Sequence, residues 1–173
     1  MLKLHPHPSE PTGPVKSIEV ALGRTNEGYR LWYFLIGDIG RIVVPDQSER
    51  ASRTDDLWKT TCFEAFVKGD KGDAYCEFNF SPSGDWASYA FDRYREGRRD
   101  MPTAVTINTE RLANLLCVEA RFNADFAKST RLCLAAVVEE VGGAITHWSL
   151  AHSADKPDFH DDSCFAVRLA DIA

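Results

Sequence analysis

The chain has 173 residues, 44% of them hydrophobic, and a net charge of −6 at pH 7. That length suits one domain with a sizeable core. The acidic balance argues against nucleic acid or an anionic membrane surface as a partner, because both want basic patches, and no apolar run approaches the ~18 residues of a spanning helix.

The first segment, MLKLHPHPSEPTGP, is Pro-rich and lacks the apolar centre and small-residue cleavage site of a signal peptide. Residues 1–15 are therefore expected to form a flexible extended arm before a domain at 16–173. Lys16–Leu22 alternates as a strand, and Asn26-Glu27-Gly28 is a turn. Tyr29–Ile36 is apolar on both faces and predicts a central strand. Arg41–Val44 reads as a short strand stopped by Pro45. Asp46–Thr60 is a polar loop long enough to suggest a functional role.

Strands follow at Cys62–Val67, Ala74–Phe80 and Trp86–Tyr94, with turns at Gly69–Gly72 and Ser81–Gly84. Arg93–Arg99 reads as a solvated turn, since its basic run contains Glu96 and is followed by Asp100. Ala104–Thr109 and Leu115–Phe122 come next. Leu132–Val141 suits a strand or a short helix, and the Gly142-Gly143 turn before Ile145–Leu150 favours a strand. Ala151–Asp162 is a second long polar loop, and Cys164–Leu169 closes the sheet. About ten or eleven short strands joined by turns predict an all-β, antiparallel, jelly-roll-like β-sandwich.

The most telling stretch is Asp55–Asp92. Cys62, Glu64 and Phe66 share one strand face, and Phe63, Ala65 and Val67 share the other. In the next strand Tyr75, Glu77 and Asn79 oppose Cys76, Phe78 and Phe80. Acids and an amide on one face suit recognition of a polar ligand. Trp58, just ahead of the first of these strands, suits a stacking platform at the rim.

The pattern W-x(5)-E-x-F, then Y-x-E-F and S-P-x-G, falls at Trp58, Glu64, Phe66, Tyr75, Glu77, Phe78, Ser81, Pro82 and Gly84. K-P-D-F-H follows at Lys156–His160, then Cys164-Phe165. This ordered set resembles the DOMON-like domains, which are similar to family 9 carbohydrate-binding modules. The resemblance implies a non-catalytic binding module for a sugar or a sugar-containing small molecule. It also implies that the late loop supplies an aromatic facing the Trp, a place taken here by Phe159. Some DOMON domains instead hold haem b through Met and His. This chain offers only Met1 and Met101, so haem is the alternative reading. A structural or interaction domain with a degenerate site is another.

Sugar recognition needs rings against C–H faces and polar groups for hydroxyls. The candidate ligand-binding residues are Trp58, Arg53, Glu64, Glu77, Asn79, His152, Lys156, Asp158, Phe159 and His160. Trp32, Trp86 and Trp148 lie in strands and read as core. Glu64 and Glu77 are the one pair suited to acid–base chemistry, but no nucleophile elbow, catalytic triad or phosphate loop accompanies them, so no catalytic residue is assigned.

No cofactor or metal is expected. The acidic late loop offers oxygens of the kind Ca²⁺ takes, without EF-hand spacing. Two loop histidines with no third partner make a weak transition-metal set. The five cysteines, Cys62, Cys76, Cys117, Cys133 and Cys164, show no C-x-x-C pair. With no leader visible, they are expected to be reduced thiols in a cytoplasmic protein. The expected partner is a small carbohydrate, with no nucleic acid or membrane. The sequence is silent on oligomeric state.

Overall fold

The computed structural model describes residues 1–11, 13–26, 28–124, 130–153 and 155–171. Its strands are β1 (Leu2–Pro6), β2 (Val15–Thr25), β3 (Gly28–Gly37), β4 (Cys62–Lys68), β5 (Tyr75–Phe80), β6 (Trp86–Phe91), β7 (Arg99–Asp100), β8 (Val105–Arg111), β9 (Leu115–Phe122), β10 (Arg131–Glu139), β11 (Ile145–Ser149) and β12 (Val167–Arg168). The all-β expectation holds. The strands form one continuous sheet ordered β7-β6-β5-β4-β10-β11-β1-β2-β3-β9-β8, with β12 pairing β10. The sheet curls so that its halves face one another across a shared core. The arrangement is thus one curled antiparallel sheet, and not clearly the two separate sheets of a sandwich.

Alternation along each strand builds that core. Ile18 and Val20 of β2, Leu31, Tyr33 and Leu35 of β3, and Leu116 and Val118 of β9 point inward from one half. Phe63 and Ala65 of β4, Phe78 and Phe80 of β5, and Leu134 and Ala136 of β10 meet them from the other. The Tyr33 and Phe63 rings are 5.0 Å apart, and the Tyr33 hydroxyl donates to the Glu64 carbonyl at 2.7 Å. That bond satisfies a buried polar group that would otherwise be costly.

Three expectations about where strands begin and end change. The segment read as a flexible arm contains β1, which pairs with β2 on one side and β11 on the other. Leu4 of that strand is 0% exposed, because joining the two half-sheets buries its side chain despite the flanking prolines. Arg41–Val44 is not a strand. A 3-10 turn occupies Ile39–Arg41, and only Ile42 makes a bridge, to Glu140. Pro45, which lacks an N–H, prevents a longer ladder. The closing strand shrinks to Val167–Arg168 because a 3-10 turn takes Asp162–Cys164.

Trp148 is buried in the core, and Trp86 packs against it from a partly buried position. Trp32 departs from the core reading. It lies half-buried on the outer face of β3, with the Arg30 guanidinium 4.2 Å above its ring.

Candidate functional site

The half-sheet β6-β5-β4-β10-β11 is covered on both faces. Its second face carries Phe66, Tyr75, Ala87, Tyr89, Phe91, Cys133, Ala135 and Val137, which pack with Phe159, Cys164 and Phe165 from the late loop. Between this face and the loops lies a cleft of about 310 Å³. Glu64, Phe66, Glu77, Tyr89 and Phe91 form its floor, and Trp58, Arg95, Arg98, Asp158, Phe159 and His160 are among its walls.

Local chemistry fixes the walls. Ser81–Asp85 is a tight hairpin loop in which Gly84 takes φ +97, a left-handed conformation that favours glycine. Asp85, just beyond it, accepts from the Ser48 hydroxyl at 2.6 Å and the Ser52 N–H at 2.9 Å. Thr54 and Trp86 add a backbone bond of 2.8 Å. The first long loop is thereby tied down, and a 3-10 turn at Leu57–Lys59 presents Trp58 at the rim, 49% exposed.

The floor is set by register. Glu64 pairs with Asn79, and Glu77 with Phe66 and Tyr89, so both carboxyls emerge on the cleft face. Both are buried. Burial pushes the Glu64 carboxyl well above the usual range, and the charge of Glu77 adds to this. Burial also raises Glu77, against a hydrogen bond from Asn79. Asn79 Nδ2 donates to Glu77 Oε1 at 2.7 Å. Glu64 Oε1 is buried with no hydrogen-bond partner among the described residues.

The late loop adds a second layer. Asp158, 8% exposed, accepts from the Tyr94 hydroxyl at 2.5 Å, from Arg95 at 2.8 Å and from the His160 N–H at 3.1 Å. The Tyr75 hydroxyl lies 2.7 Å from His160 Nδ1 and accepts the Arg95 N–H at 3.1 Å. Burial, reinforced by Arg95, lowers His160 to about 4. The imidazole is therefore neutral at pH 7, with Nδ1 hydrogen-bonded to the Tyr75 hydroxyl and Nε2 3.9 Å from Glu77 Oε2.

Six of the ten candidates line the cleft: Trp58, Glu64, Glu77, Asp158, Phe159 and His160. Asn79 sits behind, orienting Glu77. Arg53 also sits outside the lining. It bonds Asp55 at 2.9 Å and Asp100 at 2.5 Å, while Asp55 accepts from the Tyr89 hydroxyl at 2.5 Å. Lys156 is exposed and outside the lining. His152 turns away, donating from Nε2 to the His5 carbonyl at 2.7 Å beside the His7 ring.

Two residues of the run read as a solvated turn, Arg95 and Arg98, line the cleft. Arg98 lies over the Tyr89 ring at 4.4 Å. Tyr89 and His147 were missed as well. For Tyr89 the available signal is alternation in β6, which puts it on the same face as its β5 partner Glu77; nothing in the sequence marks His147.

Among the described residues, no group of three or more His, Cys, Asp or Glu side chains is arranged to hold a metal ion. In the loop read as a source of Ca²⁺ ligands, Asp158 is committed to Tyr94 and Arg95, and Asp162 bonds Lys68 and Arg131. Met101 packs on the main core and is not among the residues that line the cleft. All five cysteines are free. No helix among the described residues is long and apolar enough to cross a membrane.

No protein-family model and no curated protein matches the chain. Its fold is similar to the crystal structure of a "putative carbohydrate-binding protein" from Bacteroides uniformis ATCC 8492. The TM-score is 0.56 at 14% identity, over 94% of this chain and 84% of that one. At such identity the likeness is one of fold. The narrower resemblance to DOMON-like domains and family 9 modules rests on the motifs alone.

Proposed function

We propose that the cleft binds a sugar, or a small molecule carrying one, without converting it. One observation carries this reading: the partnerless, buried Oε1 of Glu64 on a floor that also holds Glu77. An unsatisfied buried carboxyl costs about 1–3 kcal/mol. A hydroxyl both donates and accepts, so it can satisfy that oxygen in either protonation state. Trp58 offers the ring that a pyranose C–H face requires, and the fixed Arg and His side chains offer further donors.

The name of the structural neighbour agrees with this reading. So do the DOMON-like motifs around Trp58, Glu64 and Glu77. A cytoplasmic setting, suggested by five free thiols, favours a small sugar or sugar-bearing metabolite over a polysaccharide.

The test is a panel of mono- and disaccharides read by thermal shift and Trp fluorescence. Affinities of roughly micromolar to millimolar are expected, abolished by Trp58→Ala and strongly reduced by Glu64→Gln. No response to any sugar at high concentration would retire the reading. Steady aryl-glycoside turnover lost in Glu64→Gln would show an enzyme instead of a binder.

A further inference from the structure

Among the described residues, two aromatic side chains keep about half their surface in water: Trp58 at 49% and Tyr94 at 51%. Each borders a different cleft. Trp58 borders the one described above. Tyr94 borders a second, more open one of about 590 Å³, with Tyr75, Asp73, Glu96 and Arg131 also on its walls. The two clefts meet at His160, which lines both.

Tyr94 does not sit there as a loose surface ring. Its hydroxyl donates to Asp158 at 2.5 Å. Asp158 is itself buried, lines the first cleft and also holds Arg95 at 2.8 Å. Asp158 and His160 thus form a partition that is braced from both sides. The ring, with the Arg95 guanidinium 5.8 Å from its centre, keeps about half its surface in water and so forgoes hydrophobic burial. Its bond to Asp158 also removes in advance the ordering cost of a stacking contact.

On this basis, and resting on the sugar reading above, we infer that the two clefts form one groove for an oligosaccharide. Trp58 stacks on one sugar ring and Tyr94 on another beyond the His160 partition. The charged walls of the second cleft supply bonds to the outer ring's hydroxyls.

The test is calorimetric titration with gluco-, manno- and xylo-oligosaccharides of one to four units. At least one series should gain roughly tenfold in affinity beyond the monosaccharide, the scale of one added ring contact. Tyr94→Ala should cancel that gain, so that in this variant the monosaccharide and its longer homologues bind with about equal affinity. Tyr94→Phe, which loses the same hydrogen bond but keeps the ring, should retain most of it. A monosaccharide that binds with no gain from length, or a gain that survives Tyr94→Ala, would overturn the extended groove and leave the sugar reading intact. Failure of every saccharide to bind would overturn both.

Discussion

The Tyr75 hydroxyl lies 2.7 Å from Nδ1 of His160, and this contact joins the sheet floor to the late loop with the imidazole neutral. The bond has a consequence for acid stability. His160 sits at about 4 in the folded state, against about 6.5 for an unperturbed histidine. A lowered folded value means the unfolded chain takes up the proton first. The stabilisation is therefore present above about pH 6.5 and is lost as pH falls through 4, by on the order of 3 kcal/mol. His160→Asn keeps an acceptor for Tyr75 and has no proton to gain. The stability advantage of the natural protein over this variant should shrink across that window in denaturant titrations. Parallel curves would contradict the neutral assignment.

Glu64 makes the opposite contribution. Its folded value lies well above the usual carboxyl range, so its protonated form is favoured by folding. Stability tied to it is present at low pH and declines as pH rises from about 4.5 through the folded value. Glu64→Gln removes that ionisation at nearly constant volume. The variant should melt higher than the natural protein at pH 7–8, by about 1–3 kcal/mol, yet bind the ligand worse. Loss of stability together with loss of binding would mean that Glu64 supports the fold and does not serve a ligand.

Asp158 connects three groups, so its replacement should be costly. Burial would raise its pKa, but the bonds from Tyr94 and Arg95 outweigh that and hold it low. Asp158→Asn removes the charge facing Arg95 and leaves polar groups imperfectly paired. A loss of about 1–3 kcal/mol is expected, read from urea unfolding. It should come with a weaker response to sugar, because the partition between the clefts loosens. Unchanged urea midpoints would show that the partition is held by packing alone.

The sequence carried the parts of this molecule that repeat with period two. Glu64 and Glu77 were placed on one face because alternation in β4 and β5 leaves no other choice. Antiparallel register then brings them together. Arg95 and Arg98 were unreadable by that rule. They lie beyond the end of β6, where no periodicity operates. Their inward placement depends on a turn in which Arg95 takes φ +54 and on Asp158, distant in sequence, to receive it. Trp32 was misplaced for a related reason. An aromatic on an apolar strand reads as core, but β3 is covered on one face only, and Arg30 shields the other.

The N-terminal strand shows the same limit from the other side, and it can be tested directly. His5-Pro6-His7-Pro8 suggests an arm, because proline cannot donate to a ladder. Yet Leu2, Lys3 and Leu4 pair with Val20, Glu19 and Ile18, and His5 and Pro6 pair with Ser149 and Trp148. This strand joins the two halves of the curled sheet, and Leu4 is its buried anchor. Leu4→Ala should cost about 2–5 kcal/mol, as for a buried leucine in a packed core. Lys3→Ala, on the exposed face, should cost under about 0.5 kcal/mol. A thermal scan of both variants distinguishes a structural strand from an arm. Equal and negligible losses would return residues 2–6 to the arm reading, whereas a large loss confined to Leu4→Ala establishes the strand as the seam of the sheet.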